Sequence, residues 1–203
     1  MNSPLAALHE ELKSWQQGIG ALSGFLALML AALFNYRLNR RRDQALRKEE
    51  ALSIVVGLYG EIILLRKELA RLARSVSYSV AHRRDIDRHF LESHKLPEVV
   101  LFNNLSSKIG LLPADLALAI TEFHQNLQQA KQWLPLMIED ESRGYSYSCL
   151  SVLIPARDGT QKIVTALNQI EKWASIPTVS RALDLGITED VIESEEILFE
   201  ERG

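Results

Sequence analysis

A long run of uncharged residues is the first pattern along the chain. No charged residue occurs between Lys13 and Arg37, and the most apolar part of this run is Gly18–Tyr36. As a helix, this part would rise about 28 Å, close to the roughly 30 Å of a bilayer's hydrocarbon core. The pattern predicts a transmembrane helix over residues 18–36, preceded by a leader of residues 1–17.

Two other interpretations of the run are weaker. A fully buried core helix would need protein on every side, and a chain of 203 residues offers too little to supply it. A cleaved secretory signal needs a basic amino-terminal region, a short apolar stretch and a small-residue cleavage site. Here Glu10 and Glu11 outweigh Lys13 in the leader, and the apolar run is longer than such signals have. We therefore expect an anchor that is not cleaved.

The charges on either side of the run predict its orientation. Residues 1–17 carry a net charge of −1, whereas residues 37–48 carry +5, mainly from Arg37, Arg40, Arg41 and Arg42. By the positive-inside rule, the amino terminus lies outside and the large carboxy-terminal part lies in the cytoplasm, at the cell inner membrane. The same arginines are expected to contact membrane lipids. The single cysteine, Cys149, fits a reducing compartment.

After the run, apolar residues recur with helical spacing. Apolar positions three and four apart continue from Leu52 to Val76, which predicts a basic boundary and a long amphipathic helix over residues 37–80. Residues 81–97 break this pattern and are expected to form a charged connector. Residues 176–203 are expected to be a solvated acidic tail, because their last part is strongly acidic; a tail that docks onto another surface is the alternative.

The remainder of a helical bundle is predicted over residues 98–175. A helix is expected to begin at Pro113 and to bend or stop at Pro135, with Asp115 in its favourable first turn. Residues 139–160 are interpreted as a connector, followed by a last amphipathic helix over about 158–174. The sequence thus predicts an all-α fold, in which one transmembrane helix continues into an amphipathic helix of a cytoplasmic bundle.

Small residues follow one face of the predicted transmembrane helix. These small residues are Gly20, Gly24, Ala27 and Ala31. Gly20 and Gly24 form a GxxxG pair, which allows two membrane helices to approach closely. Positions spaced three and four residues apart extend this face, in one unbroken register, as far as the apolar stripe that begins at Leu52. This register predicts contact between copies of the chain in a homo-oligomer. For the stripe itself, the preferred interpretation is packing within its own chain, against the helices that begin near Val99 and Pro113, because the stripe is too broad for one partner helix to cover.

The sequence is poor in catalytic motifs. It contains no Gly-rich phosphate loop, GxSxG elbow, HExxH or paired CxxC, so no catalytic residue and no cofactor is predicted. The nearest approach to a metal-ligand set is His82, Asp85, Asp87, His89, Glu92 and His94. Arginine and lysine residues within the same stretch would repel a cation, so we interpret it as ion-paired structure without a metal.

Two further side chains have structural interpretations. Cys149 is expected to be a buried, inert thiol, and His124 a satisfied side chain beside the apolar face of its helix. A nucleic-acid partner is not predicted, because the arginine cluster has no interleaved aromatic residues and the rest of the domain is acidic.

The sequence resembles small bacterial single-pass inner-membrane proteins with a helical cytoplasmic domain. The resemblance is carried by "NYRLNRRRD" (35–43) and, less specifically, by "KIGLLPADLALAITEFHQNL" (108–127). It covers the first half of the chain best. It implies an anchor and a basic boundary, and it transfers no active site.

These features predict a membrane-anchored interaction or scaffold protein. Its cytoplasmic domain would be presented to a protein partner, with self-association along the small-residue face. Two alternatives stay open: a membrane-tethered metal-dependent enzyme that uses residues 82–94, and a signalling or defence component in which the long helix transmits a change.

Overall fold

The computed structural model describes residues 4–138, 148–179 and 182–201. Within these ranges, the side chains of residues 4–12, 14, 16–18, 21 and 199 lie outside the description. The described residues form α-helices, short 3-10 segments, turns and loops, and they include no β-strand. The prediction of an all-α fold is confirmed.

The described part of the chain contains six α-helices. They are α1 (Pro4–Ala81), α2 (Arg88–Ser93), α3 (Leu101–Leu105), α4 (Ala114–Trp133), α5 (Leu150–Ala174) and α6 (Gly186–Glu200). Two 3-10 segments, Ser106–Leu111 and Leu134–Met137, follow α3 and α4. By its contacts the chain divides into two units, Met1–Glu49 and Glu50–Gly203.

The first unit holds the amino-terminal part of α1. Every side chain that is described in this unit is exposed, including the large apolar ones. No hydrophobic core is therefore present among its described residues.

The second unit is built around one hydrophobic core. The rest of α1 supplies a wide buried stripe, which includes Val55, Leu58, Ile62, Leu69 and Val76. The apolar stripe after Leu52 is thus buried within the chain, as its width predicted. The helix ends at Ala81, one residue beyond the predicted limit.

Helix α4 matches its sequence signals. Pro113 stands at the amino-terminal cap, Asp115 lies in the first turn, and the α-helix ends at Trp133, two residues before Pro135. Its buried face packs against α5 and contains Leu116, Ile120, Phe123, Leu127 and Ala130. The prediction for this helix is confirmed.

Helix α5 begins earlier than predicted. It starts at Leu150, so the carboxy-terminal part of the expected connector 139–160 is helical, while residues 139–147 lie outside the described residues. Pro155 lies inside the helix and Gly159 is buried within it. The interpretation of residues 150–160 as part of a connector was wrong, because burial of this segment outweighs the local preference of Pro and Gly for turns.

The acidic tail is not simply solvated. Helix α6 packs against α5, and Thr188, Val191 and Ile192 on its inner side are buried, as is Leu185 just before the helix begins. Acidic residues occupy the outer side of the helix. The connector 81–97 also contains structure that was not predicted, namely α2.

Candidate functional site

The predicted membrane segment is the most apolar exposed surface described. Each of its large apolar side chains is about half exposed or more, and Leu28 and Leu30 are 72% and 67% exposed. The other members of this set are Ile19, Leu22, Phe25, Leu26, Met29, Leu33 and Phe34. At 3.6 residues per turn, these side chains cover about two-thirds of the helix circumference. This surface is too wide to be one face of an ordinary amphipathic helix.

The small-residue face occupies the rest of the circumference. Gly20, Gly24, Ala27 and Ala31 are exposed, and a Cβ atom added to either glycine would meet nothing within 4 Å. Ser23, next to this face, donates its hydroxyl to the Gly20 carbonyl at 3.0 Å. The face is open in the single chain, so pairing between copies stays a prediction.

The basic boundary follows directly. Arg37, Arg40, Arg41 and Arg42 are all exposed on α1. Their predicted roles in topology and lipid contact are not decided by this geometry.

Among the residues that the structure describes, no helix combines the length and the apolarity needed to cross a membrane. Gly18 and Ala21, which belong to the predicted window 18–36, have side chains outside that description. The transmembrane helix stays a prediction.

Within residues 82–94, the side chains of His82, Asp87 and His94 make local hydrogen bonds. Asp87 accepts a hydrogen bond from Phe90 N at 2.8 Å and so caps α2, while the Nδ1 atoms of His82 and His94 lie 2.9 Å from the carbonyls of Tyr78 and Phe90. Asp85 precedes α2, so the helical pairing of Asp85 with His89 does not form. No group of three His, Cys, Asp or Glu that could hold a metal ion occurs among the described residues.

Cys149 lies in the core, at the start of α5. Burial raises the pKa of its thiol to about 11. A thiol with this pKa is almost wholly protonated at neutral pH and is a poor nucleophile. The prediction that Cys149 is buried is confirmed.

A buried acid–imidazole pair was not predicted. Glu61 of α1 accepts backbone hydrogen bonds from Val100, Leu101 and Phe102 at 2.7, 2.7 and 2.9 Å, which fixes the start of α3. The side chains of Glu61 and His124 are only 8% and 5% exposed, and their Oε2 and Nε2 atoms lie 3.9 Å apart. His124 was expected beside the apolar face, but it lies inside the core of the second unit.

The tautomer of His124 follows from its contacts. Nδ1 lies 2.8 Å from the Ile120 carbonyl, which can only accept, so Nδ1 carries a hydrogen. The ring stacks on Phe102 with centroids 3.7 Å apart. Nε2 has no hydrogen-bond partner among the described residues. Burial lowers the pKa of His124, and the opposing effects of the Ile120 carbonyl and Glu61 are smaller.

We expect acid to weaken the fold through His124. The unfolded residue titrates near 6.5 and the folded residue lower, so below about pH 6.5 the unfolded state takes up the proton first and stability falls. Above this pH the effect is absent. Between about pH 7.5 and 5.5, the melting temperature of the full chain should fall more than that of His124→Asn, which keeps a donor near the Ile120 carbonyl but cannot titrate.

The control for this experiment is His89→Asn, since His89 is exposed. It should retain the pH dependence of the unmodified chain. Equal pH dependence in the unmodified chain and in His124→Asn would show that His124 does not cause it.

Comparison of the chain with protein-family models, with curated proteins and with solved structures gives no significant match.

Proposed function

We propose that this chain is a membrane-anchored helical interaction protein. Residues 18–36 cross the inner membrane, and the second unit is presented to a protein partner in the cytoplasm. The observation that carries the proposal is the contrast between the two units. From Ala51 onward, one wide stripe of apolar side chains of α1 is buried, whereas the large ones before Tyr36 are exposed around most of the helix.

The cost of this exposure in water supports the proposal. Soluble monomers rarely expose large contiguous apolar patches, and such patches mark contact with a membrane or with another protein. Lipid can cover an apolar helix on all sides at once, whereas a single partner helix covers one face. The bilayer is therefore the occupant that fits this surface best.

The polar groups of the segment are also compatible with lipid. A hydroxyl in hydrocarbon must find an internal partner, and Ser23 already donates to the Gly20 carbonyl. The open face around Gly24 would let two anchors approach closely, so self-association through Gly20, Gly24, Ala27 and Ala31 is part of the proposal.

The orientation can be tested with a reporter fused after Gly203. The basic segment 37–48 outweighs the leader, so the reporter should show cytoplasmic activity. Neutralising Arg37, Arg40, Arg41 and Arg42 together should raise the fraction of chains with the opposite orientation. Neutralising Arg71 and Arg74 instead is the control, because these residues lie far along the sequence from the anchor. Periplasmic activity of the unmodified fusion would contradict the proposed orientation.

A further inference from the structure

A basic cleft lies in the second unit, outside every site considered so far. It has a volume of about 550 Å³ and lies where the last turns of α1 meet α2 and the beginning of α6. The lining residues that matter here are Arg71, Arg74, Ser75, Tyr78, Arg84 and His94. Among the described residues that line the cleft there is no carboxylate. Its volume falls in the range of small-molecule sites.

A strained turn brings Arg84 to the cleft. After α1 ends, Arg83 adopts a left-handed backbone conformation with φ of 53°, which is uncommon for a residue other than glycine. Arg83 N and Arg84 N donate to the carbonyls of Val80 and Ser79 at 3.0 and 2.8 Å. The chain thereby folds back, and the Arg84 guanidinium carbon lies 5.0 Å from the centre of the Tyr78 ring. This cation–π contact holds the charged group beside the last turn of α1.

The opposite wall is ordered by α2. Asp87 caps this short helix, and the His94 ring stacks on Phe90 with centroids 4.1 Å apart. His94 Nδ1 donates to the Phe90 carbonyl, which leaves Nε2 as the remaining polar atom of the ring. The cleft therefore has fixed polar groups on two sides.

The charges of the cleft are not balanced. Within the described part of the chain, the one ion pair made by its three arginines joins Arg71 to Glu68 at 2.6 Å. Among the described residues, no carboxylate forms an ion pair with Arg74 or Arg84, which leaves two positive charges unbalanced in the cleft. Guanidinium groups pair with phosphate oxygens through two parallel hydrogen bonds, and a phosphomonoester carries close to two negative charges at neutral pH.

We infer that this cleft binds a phosphomonoester group. Arg74 and Arg84 would hold the phosphate oxygens, and the Ser75 hydroxyl would donate a further hydrogen bond. The group could belong to a soluble metabolite or to the headgroup of a phosphatidic acid. The inference does not depend on the membrane anchor, since all of its residues belong to the second unit.

The test uses the purified full-length chain in a neutral detergent. Calorimetric titration with glycerol 3-phosphate and with dihexanoyl phosphatidic acid covers the soluble and the lipid source. Dihexanoyl phosphatidylglycerol, a phosphodiester of lower charge, is the comparison ligand. We expect at least one phosphomonoester to bind at least about tenfold more tightly than the diester. Equal affinity for both phosphomonoesters would show that the phosphate group alone is recognised. Tighter binding of phosphatidic acid would identify the lipid as the source of that group.

The double variant Arg74→Gln/Arg84→Gln should weaken this binding at least about tenfold. Both side chains are exposed, so the variant should fold, and an unchanged melting temperature will verify this. Arg88→Gln, on α2 but outside the cleft lining, is the matched control and should bind like the unmodified chain. The inference would be overturned if neither phosphomonoester binds, or if the double variant binds as tightly as the unmodified chain.

Discussion

Arginine in place of Leu28 is expected to remove most of the chain from the membrane fraction of cells. Leu28 lies near the centre of residues 18–36 and its side chain is 72% exposed on α1. An arginine at the centre of a membrane helix costs about 3 kcal/mol, and the leucine's favourable contribution of roughly 0.3–0.6 kcal/mol is lost as well. The equilibrium between inserted and non-inserted chain should shift by a factor of several hundred.

The measurement is the share of the chain that sediments with membranes, determined by immunoblot. Leu28→Ile preserves apolarity and is the matched control, which should sediment like the unmodified chain. If Leu28→Arg sediments as fully as Leu28→Ile, then residues 18–36 do not cross the bilayer.

Removal of the Glu61 carboxylate is expected to cause a large loss of stability in the second unit. In Glu61→Ala, three backbone N–H groups at the start of α3 lose their acceptor, and His124 loses the facing negative charge. Hydrogen bonds to charged groups contribute about 1.5–3 kcal/mol each, but water can replace part of this at the exposed residues Val100 and Leu101. We expect a net loss of about 3 kcal/mol.

Thermal unfolding of the full chain checks this expectation. A loss of this size lowers the melting temperature by about 6–12 °C in a domain of this length. Glu68→Ala is the matched control, since Glu68 lies on the same helix and makes only a partly exposed ion pair with Arg71. It should cost less than about 1 kcal/mol. Similar losses in the two variants would show that the hydrogen bonds of Glu61 do not hold α3 in place.

The parts of the fold that could be predicted are those in which local signals and burial agree. The stripe that contains Val55 and Ile62 repeats with helical spacing and is buried. Pro113, Asp115 and Pro135 mark the limits of α4, because each has a backbone or dipole preference that the fold satisfies. Sequence reasoning did not predict that α5 also contacts this part of α1, where Tyr59 donates to Glu171 and Arg66 to the Thr160 carbonyl, since these contacts join residues far apart in the chain.

The parts that were missed are those in which packing overrides local preference. Pro155 lacks the N–H that would bond to the preceding turn, yet α5 continues through it because Val152, Leu153 and Ala156 are buried. Gly159 lies in the segment that was predicted to be a connector. A Cβ atom at this position would lie 3.1 Å from both Asn126 Cβ and Leu69 Cδ2, so glycine allows a close helix contact there. No feature of the local sequence distinguishes a glycine in a turn from a glycine at a close contact between helices.

The polar sites were predictable only in part. The small-residue face and the basic boundary are contiguous in sequence and are easily recognised. Glu61 and His124 come together although they lie far apart in the sequence. Arg74 and Arg84 line the same cleft because the chain folds back at Arg83. Arg66 was the one residue whose position in the sequence indicated a buried polar contact. It interrupts an apolar stripe, and the structure shows it buried, donating its Nε–H to the Thr160 carbonyl at 2.8 Å.

The central claim, that residues 18–36 anchor the chain by crossing the bilayer, is tested most directly by alkaline carbonate extraction. Membranes from bacterial cells that produce the unmodified full-length chain are washed with carbonate and sedimented. This treatment releases peripheral proteins and leaves integral ones behind. We predict that the chain stays in the pellet with an integral membrane marker. Its release into the supernatant with peripheral proteins would contradict the account.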